Sequence, residues 1–135
     1  MFILGVSTMT FASFIRLSCF RSLGHLFTFE LTIRPKHVLV RSGPYAYVRH
    51  PSYTAAFLSV LAFVVIHYSP GAWAYECVVP WRKPLVVMYL IAGCYSLSHL
   101  WRRGPEEDAR LRAHFGGEWE DYRASVPWSF IPLIY

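Results

Sequence analysis

Three stretches of the chain carry no Asp, Glu, Lys or Arg, and they set its layout. The first is residues 1–15, and its apolar character continues to Leu23, with Arg16 and Arg21 near the end. Long basic side chains in that position reach out of an apolar layer to its polar edge. The second is residues 50–75. Pro51 suits the first turn of a helix, where its missing N–H has no partner to lose. Residues 52–69 then form a run of about 18, near the lower limit for crossing a bilayer, and Pro70-Gly71 closes it. The third is residues 84–101, stopped by Arg102 and Arg103. The second and third runs predict a transmembrane helical hairpin, and the first predicts an N-terminal helix. The connector between the two runs holds Trp73, Tyr75 and Trp81, aromatics of the kind that settle at a membrane–water interface.

After Pro105 the pattern changes. Residues 106–126 hold six acidic and three basic side chains. Leu111, Phe115, Trp119 and Tyr122 recur at spacings of three and four, which predicts an amphipathic helical segment. Glu106, Glu107 and Asp108 suit a helix N-terminus, with Glu106 and Asp108 expected to point into solvent. Gly116-Gly117 predicts a break. The tail, residues 127–135, is aromatic and apolar and is expected to lie on the membrane surface or pack back on the hairpin. The fold expected is an all-α integral membrane protein: the hairpin, an N-terminal helix and a C-terminal amphipathic cytosolic helix, in a single domain over residues 1–135. A chain opening inside an apolar helix, with no basic residue before it, reads as truncated at its N-terminus rather than as starting with a signal peptide.

Composition strengthens the membrane reading. The 135 residues are 55% hydrophobic, 18% aromatic and only 16% charged, against about 25% charged in ordinary soluble domains. The net charge of +5 suits either nucleic acid or an anionic membrane surface. With no basic helix or zinc pattern, nucleic acid is not the partner expected. Arg34, Lys36, Arg41 and Arg49 precede the hairpin and Arg102 and Arg103 follow it, while only Arg82 and Lys83 mark its closed end. The positive-inside rule therefore places the open ends in the cytosol. Three cysteines without CxxC spacing form neither a disulfide framework nor a metal site, and no metal is expected.

Candidate chemistry gathers in two places. One is residues 37–53, containing His37-Val38-Leu39-Val40, Gly43-Pro44-Tyr45 and Arg49-His50-Pro51-Ser52-Tyr53. It lies where a cytosolic loop enters a membrane helix. Polar groups at that depth are costly and usually functional, although Tyr, His and Arg also serve there as plain anchors. The other is Arg103 with Glu107, four apart and so on one helical face. On spacing alone the pair is an ordinary solvated ion pair. His67 and His99 read as structural. No Ser-His-Asp signature and no GxGxxG is present.

The string GPYAYVRHPSYTAAF, two apolar spans, and then RRGPEEDARLRAHFGGEWEDYRASVP resemble the isoprenylcysteine carboxyl methyltransferases, and the preceding LGHLFTFELTIRPKHVLV fits the same pattern. The likeness runs from about residue 23 to 127, the expected cofactor-binding core. It implies an endoplasmic reticulum membrane enzyme with its site facing the cytosol. It implies S-adenosyl-L-methionine as cofactor, and prenylated CaaX-type proteins with a free C-terminal cysteine carboxylate as substrates. Carried over by position, it assigns the cofactor to His37, Val38, Leu39, Val40, Tyr45, His50, Pro51, Ser52, Tyr53 and Glu107, and the substrate carboxylate to Arg103. Relatives in this family carry further N-terminal spans. Three alternatives stay open: a phospholipid or small-lipid methyltransferase, a sterol-reductase-like enzyme using NADPH (which shares the RHP.Y element and the VPWSFIPLIY type of tail), and an inactive truncated paralogue.

Overall fold

A computed structural model describes residues 1–26, 38–77 and 82–132. The described residues are helical, without a strand. Helix α1 spans Phe2–Leu23, α2 Pro51–His67, α3 Trp73–Glu76, α4 Arg82–Phe115 and α5 Gly117–Ser125, with single 3-10 turns at Gly24–Leu26 and Gly43–Ala46. Two helices, α1 and α4, are long and apolar enough to cross a membrane. At 1.5 Å per residue the 22 residues of α1 reach about 33 Å, and the 17 residues of α2 about 25 Å, slightly short of an apolar layer about 30 Å thick.

Helices α1 and α2 pack most closely, and they run antiparallel: Gly5 meets Ile66, while Ser22 meets Gly43 just ahead of α2. The contact is lined with small residues. Gly5, Ala12 and Cys19 are buried on α1, and Ala55, Ala62 and Ser69 on and just after α2, each set repeating every seventh residue. Between apolar helices in lipid there is little hydrophobic gain, so attraction comes from backbones approaching closely over small side chains. A Cβ on Gly5 would fall 2.7 Å from Ile66 Cγ1 and 3.1 Å from its backbone nitrogen. Hydroxyls on these helices turn inward to the backbone: Thr8 and Thr10 donate to Leu4 and Val6 carbonyls at 2.9 Å, and Ser59 to Ala55 at 2.8 Å. Those three hydroxyls are thereby satisfied without water.

Helix α4 returns alongside α2. Phe63 stacks on Tyr89 with ring centroids 3.9 Å apart, Val60 fills the space over Gly93, and Phe57 meets the edge of Trp101. His67, stacked on Phe63 and bonded through Nδ1 to the Phe63 carbonyl at 2.8 Å, is structural, as expected.

The segment after Arg103 departs from expectation. It is not a separate amphipathic helix: α4 runs unbroken for 34 residues, through Pro105. An interior proline forfeits one backbone hydrogen bond, at a cost of about 3 kcal/mol. Here an apolar span on one side and the strong helix formers of residues 106–112 on the other outweigh that loss. At about 51 Å, α4 is some 20 Å longer than the apolar layer, so its last turns stand clear of it. The break falls at Gly116, as expected; its φ of 55° favours a residue without a Cβ. Helix α5 then folds back. Leu39, Trp119, Tyr122 and Val126 form a buried cluster, with Leu111 and Phe115 packed on it. The predicted apolar stripe is thus the core at the end of the molecule where α2 begins.

Candidate active site

At that end α2 starts with His50 as its N-cap and Pro51 in its first turn. The His50 carbonyl accepts from the Tyr53 and Thr54 N–H groups at 3.1 and 3.3 Å. Proline at this place fixes the helix start, and the fixed start places the imidazole and phenol rings one turn apart. The two rings stack, with centroids 5.3 Å apart and planes 7° from parallel.

Helix α4 presents two adjacent rows to them. Arg103 and Glu107 form one row, and Gly104 and Asp108 the other, each pair one turn apart. The Tyr53 hydroxyl donates to Glu107 Oε2 at 2.8 Å, and the Arg103 side chain lies beside the same phenol. Unbroken helix through Pro105 is what keeps Arg103 on the Glu107 face. Glu107 Oε2 also lies 3.7 Å from His50 Nδ1. Its side chain is 35% exposed, so the carboxylate lines an accessible place rather than a sealed one.

The second row corrects an expectation. Asp108 is not solvated: its side chain is 16% exposed, with Oδ1 3.1 Å from His50 Nε2 and Oδ2 accepting from Arg49 Nε at 3.1 Å. Burial alone would raise the Asp108 carboxyl. The hydrogen bond and charge of His50, together with the Arg49 guanidinium, outweigh burial and hold it below the usual range. Above Asp108, a Cβ on Gly104 would fall 2.7 Å from Phe130 Cζ and 3.6 Å from His50 Cδ2. A side chain here would push on the buried Phe130 ring, whereas the imidazole is at ordinary contact distance.

Phe130 arrives with the tail, which packs back onto the start of α2. Arg49 and His50 N–H groups donate to the Trp128 and Ser129 carbonyls, each at 2.9 Å. Arg49 Nη1 donates to the carbonyls of Val126 and Pro127 at 3.0 and 2.6 Å, and Nη2 to the Ser129 hydroxyl. Residues 126–130 therefore form a strap tied to the Arg49-His50 step. Phe130 is buried against His50, Tyr53, Phe57 and Trp101.

Tyr45 stands on the Gly43–Ala46 turn. Its carbonyl accepts the Tyr122 hydroxyl at 2.8 Å, and its phenol lies near the Cys19 thiol of α1. Burial first, then the nearby Cys19 and Glu107, push the Tyr45 phenol well above its ordinary range. Burial likewise pushes Tyr122 up to about 12. Both phenols stay protonated donors at neutral pH.

Tyr45, His50, Tyr53, Arg103 and Glu107 thus come together, with Pro51 setting their frame. Ser52 is half-buried beside them. Leu39 is turned into the core against Trp119 and Tyr122, while Val38 is 62% exposed and Val40 intermediate. His37 lies outside the described residues. Sequence reasoning missed Asp108, the tether role of Arg49, and Phe130. For Arg49 the signal was its place beside His50; for Asp108 nothing local distinguishes it from its acidic neighbours.

The sequence profile of the Isoprenylcysteine carboxyl methyltransferase (ICMT) family matches residues 3–92. The chain belongs to this family. Among curated relatives it is 31% identical, over 97% of its length, to a protein-S-isoprenylcysteine O-methyltransferase of Dictyostelium discoideum, and 36% identical, over 73% of its length, to one of Schizosaccharomyces pombe. It spans 49% and 34% of those two proteins, half their length or less. A delta(14)-sterol reductase of Ascobolus immersus is 28% identical over 78% of the chain, which spans 21% of that enzyme. No solved structure matches the chain. The cluster around Glu107 is where the described residues gather polar and aromatic side chains from α2 and α4.

Proposed function

We propose that the chain forms the methyl-donor side of an S-adenosylmethionine-dependent transferase acting on the C-terminal carboxylate of prenylated cysteine, at the cytosolic face of the endoplasmic reticulum membrane. The observation that carries this reading is the Tyr53–Glu107 bond, which draws the RHPSY segment and the end of α4 into one cluster with Arg103.

The residues present fit the cofactor's chemistry. Its amino group needs a carboxylate, and Glu107 supplies an accessible one. Its sulfonium favours aromatic faces, which Tyr45 and Tyr53 offer through cation–π attraction. When bound, the cofactor supplies an electrophilic methyl group. The remaining demands fall on the protein and are modest. An α-carboxylate has an ordinary pKa of about 3.5 and is ionised at neutral pH, so no general base is required. Arg103 holds such a carboxylate by paired, charge-assisted hydrogen bonds. Arg103 and Glu107, one turn apart, set acceptor and donor side by side, and the rest of the rate comes from alignment and exclusion of water.

Isothermal titration of the purified chain with S-adenosylhomocysteine and, separately, NADPH tests the donor side. Binding of S-adenosylhomocysteine alone is expected. Binding of NADPH alone would favour the sterol-reductase reading, to which the weaker similarity points. Binding of neither would favour an inactive paralogue. Methyl transfer to farnesylcysteine but not to phosphatidylethanolamine is expected; the reverse would assign a lipid acceptor.

A further inference from the structure

Asp108 joins two groups that no other described side chain joins. One carboxylate oxygen meets His50 Nε2 and the other meets Arg49 Nε, both at 3.1 Å. An ionised carboxylate only accepts hydrogen bonds, so Nε2 carries the hydrogen. With that edge held, the imidazole cannot turn about its ring torsion without breaking the bond. Its Nδ1 edge stays toward Glu107, and its face stays on Tyr53. Through Arg49 the same carboxylate reaches the strap, since the guanidinium also holds the Val126 and Pro127 carbonyls and the Ser129 hydroxyl. The strap in turn seats Phe130 on the imidazole.

We infer that Asp108 is a positioning residue of the methyl-donor site, acting through His50 to orient the Tyr53–Glu107 pair and through Arg49 to close the 126–130 strap over it. The inference rests on the donor-site reading above. A plain fold-stabilising ion pair would need only the Arg49 contact. Arg49 already has three other acceptors in the tail, and the second Asp108 oxygen is spent on the imidazole. Both facts direct Asp108 toward the site.

A double-mutant cycle on the full chain decides. Asp108→Asn keeps the shape and one acceptor while removing the charge. It is expected to weaken S-adenosylhomocysteine binding about tenfold, the weight of one charge-assisted hydrogen bond. In a His50→Asn background the same change is expected to cost less than about twofold, because residues acting as a unit are not additive. Unchanged affinity in the single variant, or additive losses, would overturn the inference. Nitrogen-15 resonances of the His50 ring in the ligand-free chain give a second reading. A protected Nε2–H is expected in the wild type and is lost in Asp108→Ala, which keeps no acceptor, at unchanged helix content; an unmoved resonance overturns the inference without any ligand. If the wild type fails to bind S-adenosylhomocysteine while the resonance still responds, the donor-site reading fails and the Asp108–His50 linkage stands.

Discussion

Tyr53 is where two parts of the chain 54 positions apart meet, since its hydroxyl donates to Glu107 with Arg103 beside it. The roles proposed for those two partners separate by measurement. Arg103→Ala is expected to lower kcat/KM about 10- to 100-fold through the acceptor KM or turnover, the range of a charged hydrogen bond of about 1.5–3 kcal/mol. Donor affinity should stay within about twofold. Glu107→Ala is expected to abolish S-adenosylhomocysteine binding by titration. Equal losses of donor affinity in both variants would make Arg103 structural. Much of this cluster was legible: the RHPSY string, Arg103 and Glu107 are singled out by the sequence, and the fold brings them close together. Asp108 was not. An acidic residue beside water is solvated by default, and it is the buried Arg49 guanidinium and His50 imidazole, set by the Pro51 helix start, that give it partners here. The apolar tail left two readings open, membrane surface or packing back, and the second is what residues 126–130 do; their anchoring through Arg49 depends on backbone carbonyls, which have no sequence signature.

At the scale of elements, the apolar runs were readable and their mutual packing was not. In a helix that is apolar all round, hydrophobic periodicity marks no face. The face of α1 is marked instead by size, through Gly5, Ala12 and Cys19, opposite Ala55 and Ala62. Gly5→Leu is therefore expected to destabilise the α1–α2 contact by about 1–3 kcal/mol, the usual cost of overpacking. Lowered thermal midpoint in detergent, with helix content retained, would show it. The same substitution at exposed Ile3 should be silent. If Gly5→Leu is silent too, the close approach of α1 and α2 is wrong. The run after Pro105 teaches the converse. Local punctuation argued for a helix start at residue 106, but a single proline is a finite penalty, and long flanking helical segments overrode it. That continuity matters for the site, because it carries Arg103, Gly104, Glu107 and Asp108 on one rigid rod.

For the whole molecule, the packing of α1 sharpens the expected orientation. Because α1 runs antiparallel to α2, Arg16 and Arg21 join Arg41, Arg49, Arg102 and Arg103 at the end that bears the site, while the N-terminal turns of α1 add no basic residue to the opposite end. Arg82 and Lys83 are what the sequence sets there. The positive-inside rule counts such residues close to the ends of the spans, so the charge contrast exceeds that of the α2–α4 pair alone. The site end should face the cytosol and the α3 end the lumen. Cys77, exposed just after α3, reports on this. In a chain with Cys19→Ala and Cys94→Ala, a membrane-impermeant maleimide added to sealed microsomes should leave Cys77 unlabelled until detergent opens the vesicles. Ready labelling in sealed vesicles would turn the chain over, and with it the site. A cytosolic acceptor could not then reach Arg103, so this one measurement bears on the proposed substrate as directly as on the topology.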